Sequence, residues 1–145
     1  MCLGSATAVQ GHHVLELGGG TGFVSLIARA ILSDPMTVVF CTDIGENILA
    51  NCARNSTANQ LPLVVRSLDW RLDETWLQPT ATPLTSSPLS AASYTWTSAD
   101  LFELHAHPVV FLAADVIYDC DLTNAFANCI ASLLGGHYNY LFLPP

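Results

Sequence analysis

Apolar positions along the chain follow two rhythms. Short apolar runs stand at residues 13–17, 37–42, 63–68, 109–114 and 138–143, and the second of them is continuous. β-Branched and aromatic residues are frequent in them, as in strands buried on both faces of a parallel sheet. Helix-period stretches lie between. The first spans about 21–33, with Phe23, Ile27, Ala30 and Ile31 on one face, and Asp34-Pro35 ends it. The second spans about 46–59, with Ile48, Leu49, Cys52 and Ala53 inward. A third runs to Leu134, with Asp121 as its N-cap and Gly135 as its stop. Its inward face is Leu122, Phe126, Cys129, Ile130 and Leu133. Strands alternating with helices predict an α/β, Rossmann-like domain with a mostly parallel sheet.

One stretch breaks the rhythm. Residues 77–99 are rich in Ser, Thr, Pro and Ala and carry no charge. Structureless loops beyond about 12–15 residues are uncommon inside compact domains. The stretch reads as a flexible surface insertion in a single domain covering residues 1–145.

The strongest local signal is Glu16-Leu17-Gly18-Gly19-Gly20-Thr21-Gly22. A strand enters a glycine turn and a helix leaves it. Glycine lets the main chain bend sharply and lets a ligand approach it closely. The carboxyl ends of parallel strands are the usual ligand edge. A dinucleotide fingerprint needs its third glycine where Phe23 stands, and a P-loop needs a lysine that this chain lacks. Asp43 lies about 20 positions beyond the turn, where an acid can accept from ribose hydroxyls. Asp69-Trp70 follows the third run, where an indole could flank an adenine and the carboxylate accept from its amine. Ala114-Asp115-Val116-Ile117-Tyr118 follows the fourth, placing an acid and a tyrosine at the same edge.

Charge narrows the possible partners. The 145 residues hold 12 acidic and 4 basic side chains, a net charge of -8. All the basic residues are arginines. Nucleic-acid affinity rests on Lys and Arg contacts to phosphate, so direct binding to nucleic acid is disfavoured. A basic protein partner or cationic substrate suits this balance. A membrane-spanning helix needs about 20 apolar residues, and the best run, 23–32, is about half that and contains Arg29. The first residues lack the basic-then-apolar pattern of a secretory signal, which predicts an intracellular location, cytoplasmic or nuclear. The five cysteines form no C-x-x-C pair. They read as buried, reduced thiols rather than a disulfide framework or zinc site. His105 and His107, like His12 and His13, lack a neighbouring Cys or acid cluster and read as ordinary histidines, so no metal is expected.

The ordered set of Glu16–Gly22, Thr42-Asp43, Leu68-Asp69-Trp70 and Asp115-Val116-Ile117-Tyr118 resembles the protein-lysine methyltransferase branch of the seven-β-strand methyltransferases. The likeness covers about residues 14–134. It implies S-adenosylmethionine as cofactor and a lysine-bearing protein as substrate. It places Glu16, Gly18, Gly19 and Gly20 along the methionine and ribose portion of the cofactor. Asp43 would hold the ribose hydroxyls, Trp70 and Asp69 would flank the adenine, and Ala114 would contact the cofactor. Asp115 and Tyr118 would receive the substrate lysine.

The family carries structure before and after this region that these residues do not supply, so the fold reads as incomplete at both ends. That leaves two further readings: a non-catalytic form that binds cofactor or a partner, and a nicotinamide-binding oxidoreductase. Hydrophobic residues make up 51% of the chain and charged residues 11%. With outer strands missing, part of that apolar surface is expected to need a partner.

Overall fold

The computed structural model describes residues 11–72 and 94–135. Four strands form one parallel sheet: β1 (His13–Leu17), β2 (Val39–Asp43), β3 (Val64–Ser67) and β4 (Val109–Ala113). Their order is β3-β2-β1-β4. Three helices connect them, α1 (Phe23–Ile31), α2 (Glu46–Asn59) and α3 (Ser98–Ala106), and α4 (Cys120–Gly135) follows β4. This is the expected Rossmann-like α/β arrangement. The expected strand at 138–143 and most of the 77–99 stretch lie outside the described residues.

Strand alternation sorts the core into two layers. Val14 and Val39 face α1, packing with Ala28 and Leu32. Cys41 and Val65 face α2, packing with Leu49 and Cys52. Leu15, Leu17, Phe40 and Val109 face the other way, onto Leu104 of α3 and Cys129 and Leu133 of α4. Trp96 joins this second layer, stacked on Phe40 at 5.4 Å and donating to the Ser67 carbonyl at 3.0 Å. Helices on both faces are what continuous apolar strands require.

Three expectations need correction. Phe23, Ile27, Ala30 and Ile31 are not the buried face of α1. Phe23 is 65% exposed, Ile27 47% and Ile31 66%, and Ala30 is exposed as well. The buried residues are Ser25, Ala28 and Leu32, on the opposite side of the helix. Small Ser25 and Ala28 let α1 lie close to the sheet, and Ser25 bonds to buried Glu16. Ile48 is likewise exposed, while Leu49 and Cys52 are buried as expected. On α4 the cap is Asp119 rather than Asp121, since Asp119 Oδ1 accepts from Leu122 N at 2.8 Å.

Helix α3 was not foreseen, although its start carries a readable signal. Thr97 and Asp100 form a reciprocal capping box. Asp100 also receives Arg66 of β3 through two contacts, at 2.7 and 2.9 Å. Burial would push the Asp100 carboxyl up, but Arg66 and Thr97 outweigh it and hold it below the usual carboxylate range. No helix among the described residues is long and apolar enough to cross a membrane.

A pH dependence follows. A depressed folded-state pKa contributes stability in full above the unfolded value, about 4. That contribution is lost as pH falls through the folded value. The Asp100→Asn variant should therefore melt below wild type at pH 7, and the gap should close as pH drops under 4. Thermal melts across pH 2–7 check this; a gap constant with pH would show that the charge contributes nothing.

Candidate functional site

The glycine turn takes its shape from groups on either side. Gly18 and Gly20 have φ of 70° and 54°, and Gly22 caps α1 at 78°. L side chains rarely adopt these angles, so glycine is required there. Gly19 N donates to the Thr42 carbonyl at 2.9 Å, tying the turn to the end of β2. Gly20 N donates to Asp43 Oδ2 at 2.7 Å, and Asp43 Oδ1 accepts from Ile44 N at 2.7 Å. Each Asp43 oxygen keeps a further lone pair for a ligand.

Glu16 is buried under the turn. Its Oε2 accepts from Ser25 N at 2.9 Å, from the Ser25 hydroxyl and from the Cys41 thiol at 3.6 Å. This carboxyl holds the start of α1 against the sheet. Its route to a ligand would therefore run through the turn it supports. The sequence signal for Ser25 is a serine in the first turn of a helix that follows a strand-end glutamate.

The register brings the strand ends level. Leu17 pairs with Thr42 on one side and Ala113 on the other. Strands β2 and β3 go to one side of β1, and β4 to the other, so the turn opens at the switch point where open α/β sheets bind ligands. A cleft of about 100 Å³ lies there, lined by Gly18, Asp43, Leu68, Asp69, Trp70 and Tyr118 among others. Five of the expected site residues thus share one cleft. Gly19 and Gly20 lie in the adjoining turn. Ala114 and Asp115 stand exposed just past β4 and do not line it. Asp115 has φ of 55°, a left-handed conformation that Asp tolerates better than most residues. Leu68, Ile44 and Leu122 line the cleft without having been singled out.

Trp70 leans on the turn. A Cβ on Gly18 would meet its ring at 3.0 Å and Val116 at 3.0 Å. The ring also packs on Phe126, with centroids 5.0 Å apart. Its indole N–H is buried with no hydrogen-bond partner among the described residues. An aromatic wall with a free donor, facing an acid with spare lone pairs, fits an adenosine-bearing cofactor. Asp69 is less free. Arg71 engages both its oxygens, at 2.8 and 2.7 Å, and this contact holds its carboxyl below the usual range. Tyr118 is 65% exposed at the cleft mouth.

A second polar cluster sits at the opposite edge of the sheet. Ligand-type atoms of His13, Glu103 and His107 lie within 4.8 Å of one another. Val38 N donates to His13 Nδ1 at 3.2 Å, so the ring proton is on Nε2, 3.3 Å from Glu103. That tautomer offers the cluster an N–H rather than a lone pair. Burial lowers the His13 pKa and keeps the ring neutral. The cluster thus reads as a tie between β1 and α3. Of the described cysteines, Cys41, Cys52 and Cys129 are buried, and Cys120 is exposed, against expectation.

A parallel sheet with a glycine turn at its switch point, an acid ending the second strand and an indole beside the turn is a Rossmann-like methyltransferase arrangement. The model of the lysine methyltransferase family matches residues 4–84, and the chain belongs to that family. The matched region holds the glycine turn, Asp43, Asp69 and Trp70, while Asp115 and Tyr118 lie beyond it. The chain is 36% identical over 132 residues to methyltransferase-like protein 22 of Mus musculus, covering 86% of this chain and 30% of the relative. It is 30% identical over 131 residues to methyltransferase-like protein 22 of Homo sapiens, covering 86% and 29%. The chain thus spans under a third of the length of these relatives. No solved structure matches.

The packing under the turn can be tested. A Cβ on Gly19 would lie 2.3 Å from Cys41 Sγ. Gly19→Ala should lower the melting temperature, and adding Cys41→Ala should recover part of the loss. Overpacking of this kind typically costs about 1–3 kcal/mol. Equal melting of the single and double variants would show that the sulfur is not the obstacle.

Proposed function

We propose that this chain carries the cofactor site of a protein-lysine N-methyltransferase that uses S-adenosylmethionine. The observation supporting this most is the convergence of Gly18, Asp43, Trp70 and Tyr118 on one cleft at the switch point. The family match supports the same reading.

When bound, the cofactor supplies an electrophilic methyl group on a sulfonium. In this reading Asp43 accepts from the ribose hydroxyls while keeping its bond to Gly20 N. Trp70 stacks beside the adenine and offers its unpaired N–H. Glu16 acts one step back, holding the turn through Ser25. Asp115, just past β4, would accept a hydrogen bond from the neutral substrate amine and so orient the amine's lone pair for transfer. Tyr118 offers a π face to the arriving ammonium. Alignment is the chief contribution, since fixed geometry can remove up to about 7–11 kcal/mol of a barrier. The substrate is a lysine in a basic protein segment, as the net charge of -8 favours.

A second reading has one observation behind it. The exposed row of Phe23, Ile27 and Ile31 suits a chain that binds a partner without turnover. Calorimetry with S-adenosylhomocysteine and labelled methyl transfer to cell extract separate the two. The enzyme reading expects binding and labelling, with binding weakened at least about tenfold in Asp43→Ala and labelling lost in Asp115→Ala. Binding with no labelling supports the second reading. No binding by folded protein overturns the cofactor site.

A further inference from the structure

Two cysteines meet directly under the glycine turn. Cys41 is on β2 and Cys52 on α2, with sulfur atoms 3.4 Å apart. The turn rests on both of them. A Cβ at Gly19 would lie 2.3 Å from Cys41 Sγ, and one at Gly22 would lie 2.6 Å from Cys52 Sγ. Cys41 also donates to Glu16 Oε2, the oxygen that holds the start of α1. The proposed methyl transfer uses neither thiol.

We propose that Cys41 and Cys52 are a dithiol oxidisable by hydrogen peroxide, and that its disulfide reshapes the glycine turn and weakens cofactor binding. The last part rests on the methyl-donor reading of the site.

The pair is asymmetric in the way this reaction needs. The hydrogen bond shared by the two sulfurs lowers the Cys52 pKa, against burial and the nearby Glu16 and Asp43. The same hydrogen bond, with burial, pushes the Cys41 thiol up. Cys52 therefore supplies the thiolate and Cys41 keeps its proton. The thiolate attacks a peroxide oxygen. An S–O bond forms, the O–O bond breaks, and the released hydroxide takes up a proton to become water. The Cys41 sulfur then attacks the Cys52 sulfenic acid. An S–S bond forms, the S–O bond breaks, and hydroxide leaves with the Cys41 proton as a second water. In sum, two thiols and one peroxide give one disulfide and two waters.

The structural consequence follows from distance. The sulfurs must close from 3.4 Å to about 2.05 Å. The sulfurs beneath Gly19 and Gly22 then shift, and with them the surface on which the turn rests. Glu16 loses its thiol donor, because a disulfide has no S–H. Both thiols are buried, so peroxide reaches them when the turn opens. A ligand seated on the turn holds it shut, and oxidation and ligand binding oppose each other reciprocally.

The test treats the full reduced chain with hydrogen peroxide and maps its peptides without reduction. Exposed Cys120 is the internal control for oxidant activity. The expected result is a Cys41–Cys52 linked peptide that dithiothreitol releases. Hydrogen exchange across the glycine turn should rise in the oxidised form. Affinity for S-adenosylhomocysteine should fall at least about tenfold, within the usual range of site-to-site coupling. Cys52→Ser should lose the linkage and the exchange change together. Oxidation of Cys120 with Cys41 and Cys52 left as thiols overturns the proposal. Linkage with unchanged exchange overturns the reshaping. If the reduced protein binds no S-adenosylhomocysteine, the methyl-donor reading falls and takes the affinity effect with it. Mass and exchange still decide the dithiol.

Discussion

A buried carboxyl under a glycine turn organises this half of the molecule. Glu16 lies in the middle strand region, where an unpaired acid would be costly. Its donors come from Ser25, at the start of α1, and from the Cys41 thiol. That pairing sets the rotation of α1 about its axis. Ser25, Ala28 and Leu32 turn inward, and Phe23, Ile27 and Ile31 turn outward as a consequence. The polar contact overrides the helix's more apolar face. Small residues at the buried positions make the override affordable, because they let the helix approach the strand closely.

The same pairing prepares the ligand edge. With α1 anchored, the turn must climb from Leu17 and enter the helix within a few residues. Left-handed angles at Gly18, Gly20 and Gly22 achieve this. The level register of β1 with β2 and β4 puts Asp43 and the exit of β4 beside the turn. Trp70 then closes over Gly18, where any side chain would displace it. Site and core are therefore not separable here: the residues under the turn decide what the turn can hold.

The opposite edge is tied by different means. There His13 links β1 to Val38 and to Glu103 of α3, while Arg66, level with Leu17 at the turn end of the sheet, links β3 to the cap of the same helix. Helix α3 is short and only partly apolar, so these polar ties position it together with the burial of Leu104 in the core. The apolar row on α1 has no such cover among the described residues. The high apolar content of the sequence is thus part core and part open surface.

The alternation of strands and helices, the glycine turn and the strand-end acids are legible in the chain alone. Those features depend on local spacing and on backbone freedom, which a single chain displays. It also signalled Asp43 and Trp70, because their distances from the turn are fixed by strand and helix lengths. Which face of α1 is buried emerges only from the packing of the folded chain. Periodicity marks an apolar face but cannot weigh it against a hydrogen bond to a residue on another element. Likewise, the tie between Asp69 and Arg71 and the role of Ser25 depend on side-chain geometry. The meeting of Cys41 with Cys52 depends on how α2 packs over β2. The T-x-x-D signal of α3 was readable in the chain, but it stood at the end of a stretch whose composition suggested only a loop.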